Sequence, residues 1–171
     1  MSEIGSPKLP LPPAEETIAL RAVVQVLADD PTLRACGVTM HAWTGDVADV
    51  DEPTVANCPY LRITPTGCTS GWTNQGQHEL ACELTIEAAV IGSDVDQLLN
   101  LWAAVRRALW PGKTVELRDA RRSFFHDAGI IKPTLTRPGF GVVVKDAADD
   151  QVVRFATATG TLTCTLHVNT P

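Results

Sequence analysis

The chain has 171 residues, 44% of them apolar and 20% charged, with a formal net charge of −6. That length supports one domain with a core of its own. The acidic balance disfavours a broad nucleic-acid-gripping surface, which needs concentrated positive charge, and no apolar run approaches the ~20 residues of a membrane helix.

Residues 1–13 carry Pro7, Pro10, Pro12 and Pro13 and read as a proline-rich arm, either a tail or a strap on a neighbouring subunit. Glu3 and these prolines stand where a secretory signal would have its basic start and apolar run, so a soluble intracellular protein is expected. The domain proper is 14–171. Pro13, Glu15 and Glu16 suit a helix start, and Ile18, Ala19, Ala22, Val23, Val26 and Leu27 form one stripe up to about Ala28. Asp30 and Pro31 open a short helical turn closed by Gly37. Residues 38–43 read as a strand, followed by a long acidic loop with Asp46, Asp49, Asp51 and Glu52. Residues 60–64 form a strand bounded by Pro59 and Pro65. Residues 66–76, rich in glycine and hydroxyls, read as the extended, flexible tip of an antiparallel hairpin.

The clearest signal follows. Leu80, Cys82, Leu84, Ile86, Ala88 and Val90 share one parity, while Glu79, Glu83 and Glu87 share the other. Period-two alternation of this kind describes a strand with one buried face. Gly92 ends it, Ser93 offers an N-cap, and Val95, Leu98, Leu99, Trp102, Val105 and Leu109 recur at helical spacing until Trp110, Pro111 and Gly112. Residues 114–117 read as a short strand and 118–127 as a helical turn or a loop. Residues 130–136 and 142–145 are strand-like, 146–150 is an acidic turn, and 152–157 and 161–168 are strands separated by a bulge or turn at Gly160. The sum is α+β: a single domain with a mostly antiparallel sheet of about five to seven strands packed by two main helices.

Chemistry is harder to find. Cys36, Cys58, Cys68, Cys82 and Cys164 are scattered, odd in number, and without a CxxC or a histidine at ligand spacing. They read as reduced thiols, with no metal and no cofactor. Gly92 has acids behind it and makes a poor phosphate loop. Ser123, His126 and Asp127 have the residue types of a triad, but sequence neighbours rarely meet in triad geometry. The acidic loop lacks the glycine and terminal glutamate of an EF-hand. What remains are partner-contact candidates. Thr69, Ser70, Trp72, Asn74 and Gln75 sit in the hairpin tip; Arg118, Arg121, Arg122 and Phe124 form the basic-aromatic cluster; Asp46, Asp49 and Asp51 lie in the acidic loop. A non-catalytic protein is expected.

The order of elements carries a resemblance. A helix, a strand, an acidic loop and the Pro-Tyr-Leu-Arg-Ile-Thr-Pro strand at 59–65 come first. A hairpin tip and the acidic alternating strand follow, then the Val-Asp-Gln-Leu-Leu-Asn-Leu-Trp-Ala-Ala-Val-Arg-Arg-Ala-Leu helix at 95–109. This pattern, over roughly 14–110 and the final strand, resembles the tail terminator, or tail-completion, proteins of long-tailed bacteriophages. The resemblance implies a structural virion protein at the tail–neck junction, assembled in the host cytoplasm. It would form a homo-oligomeric ring, commonly a hexamer, on the tail tube protein. A neck or head-completion protein would dock on that ring, and DNA would pass through its lumen unread. A head–tail joining protein, or a small ligand-binding domain or enzyme, are the alternatives.

Overall fold

The computed structural model describes residues 14–42, 52–72, 78–112, 114–146 and 152–168. Its organising element is β3 (His78–Ile91), which is paired along its length with β2 (Tyr60–Trp72) on one side and β6 (Val152–Val168) on the other, both antiparallel. Alternation does the sorting. Cys82, Leu84, Ile86, Ala88 and Val90 lie level with Cys164, Leu162, Gly160, Ala158 and Ala156 of β6, and all of these are buried. α1 (Glu15–Ala28) and α3 (Val95–Leu109) pack on this face, α1 against β2 and β3, α3 against β3 and β6.

The sheet has six strands in the order β1-β2-β3-β6-β4, with β5 also on β6. β1 (Thr39–Ala42) is parallel to β2; the other pairings between described strands are antiparallel. β4 (Ile130–Leu135) and β5 (Gly139–Asp146) follow each other along the same side of β6 and make one interrupted outer strand. At the break, the Thr136 amide donates to the Thr161 carbonyl at 2.9 Å, and the Thr161 amide donates to the Thr136 Oγ1 at 2.9 Å. Pro133 is tolerated in β4 because an outer strand has one side free of ladder bonds.

Several expectations change. β2 continues through Pro65 to Trp72, so the flexible tip read over 66–76 is, as far as residue 72, ladder. The register shifts between Pro65 and Gly67, and β1 ends opposite Ile63, so the proline sits at an irregularity, on a side that no described strand pairs. Residues 114–127 contain no strand. α4 (Val115–Asp127) occupies them, its first turn capped by Thr114, whose hydroxyl accepts from the Leu117 amide. Val115 and Leu117, the apolar residues of the expected strand, are both exposed. The N-cap of α3 is Asp94, not Ser93: its carboxylate accepts from the amides of Asp96 and Gln97. Asp30 caps the short α2 (Pro31–Ala35) as expected, and Gly37 and Gly92 take the positive φ values that release the chain after α2 and β3.

Gly160 is neither a turn nor the end of a strand. It lies inside the continuous β6, opposite Ile86. A Cβ there would stand 2.8 Å from Cζ2 and 2.9 Å from Cη2 of Trp102, so the missing side chain is the space the indole fills. The largest side chain of α3 is thereby seated on the sheet backbone. We predict that Gly160→Val destabilises the domain by about 1–3 kcal/mol in urea unfolding. Combined with Trp102→Leu, it should cost clearly less than the sum of the two single changes.

Candidate functional site

Asp46, Asp49, Asp51, Asn74 and Gln75 lie outside the described residues. Thr69, Ser70 and Trp72 lie on the distal end of β2, all exposed. Trp72 is 72% exposed and is not on a free tip: it stands opposite His78 in the ladder, the two rings 5.2 Å apart and tilted by 32°. The chain therefore holds an indole outward on a paired strand, where no core contact requires it.

The basic-aromatic cluster is divided by α4. Phe125 is the residue that α4 buries, with Phe124 half-buried and edge-on to it at 5.9 Å. Arg118 and Arg122 are exposed. Arg121 is half-buried in a cleft of about 520 Å³ between the start of α2, the end of α3 and α4, lined by Asp30, Pro31, Arg107, Pro111, Leu117 and Phe124 among others. Desolvation lowers its pKa, against the pull of Asp30 and Asp29. Part of this cluster thus joins helices within the subunit, leaving two arginines for any partner.

The outward apolar surface lies mainly elsewhere, on residues not anticipated from the sequence. Phe140, Val142 and Val144 stand opposite Ala158, Ala156 and Arg154, on the side of the sheet that the helices cover. α3, however, sits over β3 and β6 and stops short of β5. These three side chains and Val152 are each more than half exposed, as is Val95, with Leu99 at 43%. A groove of about 840 Å³ runs beside them between α3 and the outer strand, lined by Leu99, Trp102, Arg106, Trp110, Leu135 and Phe140 among others. Val95 and Leu99 belong to the helical apolar pattern, yet they reach no sheet residue that would bury them. The placing of Phe140, Val142 and Val144 at every second position is the available signal, but such a pattern reads as core.

The opposite face of the sheet is divided. Near the start of β2, Tyr60, Ala89, Phe155 and Thr157 are buried on this face, and Pro53 of the preceding segment is buried as well. Glu52 of that segment reaches Lys145 of β5 at 2.5 Å, a bond that lowers the Glu52 pKa. The rest of the face is polar. Arg62 pairs with Glu87 across β2 and β3. Thr85, Glu83 and Glu79 lie level with Thr161, Thr163 and His167.

Reactive geometry is sparse. His126 Nδ1 and Asp127 Oδ1 are 3.9 Å apart with both side chains 83% exposed, a solvated pair with no desolvation to sharpen it. Among the described residues no group of three or more His, Cys, Asp or Glu side chains is arranged to hold a metal ion. Burial pushes the Cys164 thiol up to about 12 and those of Cys58, Cys68 and Cys82 upward as well, so at neutral pH any thiol chemistry runs slowly, through a minor thiolate fraction. No described helix is long and apolar enough to cross a membrane.

No family model and no curated protein matches the chain. Among solved structures, a chain of the "Virion of native gene transfer agent (GTA) particle" is similar at 15% identity and a TM-score of 0.43, covering 85% of this chain and 93% of that one.

If the outward residues carry contacts and not stability, Trp72→Ala, Arg118→Ala and Arg122→Ala should each leave unfolding free energy within about 0.5 kcal/mol. Phe125→Ala should lower it by about 3–5 kcal/mol. Urea titrations followed by circular dichroism measure both.

Proposed function

We propose that this chain is a structural subunit of a phage-type virion, a tail terminator that closes as a ring on the tail tube and offers a docking surface to the neck. The observation that carries this reading is the uncovered outer strand β5. Among the described residues β5 pairs only with β6, and it displays Phe140, Val142 and Val144 where no helix covers them. An exposed apolar outer strand is an aggregation liability unless a partner covers it. The opposite rim of the sheet ends in β1, which runs antiparallel to β5 and lies level with it near Tyr60. Copies placed side by side in one orientation can therefore continue an antiparallel sheet from β5 of one to β1 of the next. Such a heterologous contact closes into a ring when its rotation divides a full turn.

The order of elements in the sequence supports the same reading, with six copies the commonest number in the family it resembles. The remaining surfaces fit their proposed duties. The acidic, threonine-rich sheet face suits a lumen past which DNA slides without being held. Trp72, Thr69 and Ser70 suit the tube or neck contact. The role proposed is geometric, with no catalysis.

The test is assembly. Wild-type protein, alone or mixed with tail tube subunits, is expected to give rings by negative-stain microscopy and a multimeric mass by light scattering. Val142→Lys combined with Val144→Lys should keep the monomer's circular dichroism and abolish the rings. Rings that persist in this variant would remove β5 from the interface. Labelled protein found on the neck or portal side, away from the tube end, would favour the head–tail joining role.

A further inference from the structure

Cys68 on β2, Cys82 on β3 and Cys164 on β6 form one row across three adjacent strands, Cys68 opposite Cys82 and Cys82 opposite Cys164. Cys82 and Cys164 are buried in the core, and Cys68 is half-buried against it. Cys68 Sγ and Cys82 Sγ are 2.6 Å apart, so that either thiol can donate to the other, and neither is in a disulfide. Directly opposed residues of an antiparallel pair have Cα atoms about 4.5–5.5 Å apart, within the range a disulfide spans.

From this we infer that Cys68 and Cys82 are the site of a cross-strand disulfide that forms under oxidising conditions and clamps the β2–β3 hairpin. The inference is independent of the ring reading. In a glutathione-reduced compartment the pair stays open; in an oxidising medium it closes. With a low-molecular-weight disulfide such as oxidised glutathione, Cys68, the more accessible thiol, loses its proton and attacks one sulfur of the oxidant. That attack expels one glutathione thiolate and leaves Cys68 in a mixed disulfide. Cys82, losing its proton in turn, attacks the Cys68 sulfur and expels the second glutathione. The protein gives up two electrons and two protons, and the glutathione disulfide becomes two thiols. The bond would lie four ladder rows from the Trp72–His78 pair and would hold the strands that carry those rings in register.

The experiment uses the full chain carrying Cys36→Ser and Cys58→Ser, which leaves Cys68, Cys82 and Cys164. After incubation with excess oxidised glutathione in native buffer, free thiols should fall from three to one. Mass spectrometry of the digest should show Cys68 and Cys82 peptides joined, and the melting temperature should rise by several degrees over the dithiothreitol-treated sample, roughly as expected for a loop of this length. Adding Cys164→Ser should leave the bridge intact, whereas adding Cys68→Ser should abolish it. Three thiols still free, a stable glutathione adduct on Cys68, or a Cys82–Cys164 bridge in place of this one would each overturn the assignment.

Discussion

A single strand paired on both sides sets the terms for the rest of the fold. β3 exchanges ladder bonds with β2 and β6 along almost its whole length, so its alternation is imposed on three strands at once. A slip of one residue would turn Leu84, Ile86 and Ala88 outward and bring Glu83 and Glu87 under the helices. Burying unpaired carboxylates there is costly enough to exclude that register. α1 and α3 then have one apolar surface to cover, and the seat of Trp102 above Gly160 fixes where α3 lies on it.

That placement explains why the apolar surface does not all end up inside. A helix seated over β3 and β6 cannot also shield β5, and the sheet is wider than the two helices that pack on it. Phe140, Val142 and Val144 keep the alternation of a core strand while lying beyond the core's border. The first turns of α3 show the same thing, with Val95 and Leu99 apolar and exposed.

The elements defined by periodicity over a dozen residues, β3 and α3 above all, were legible in the sequence, as were the α+β class and the mostly antiparallel sheet. The failures have local causes. Pro65 and Gly160 are strand breakers by type, yet one sits where the ladder shifts register and the other where an indole needs room, and only the fold shows either circumstance. α4 was obscure because it buries little beyond Phe125, so its apolar spacing is weak. Residue type alone does not say which way a side chain faces. Arg121 was drawn into an internal cleft, while β5, which reads as core, lies outside it.

The link between Glu52 and Lys145 has a mechanical meaning. Glu52 lies on the segment that leads into β2, and Lys145 belongs to β5, on the far side of β3 and β6 from it. The ion pair thus joins segment 52–59 to β5 through side chains alone. Solvent and salt screen a contact of this exposure, so raising the ionic strength would loosen the hold of segment 52–59 on β5 while leaving the strand ladders untouched.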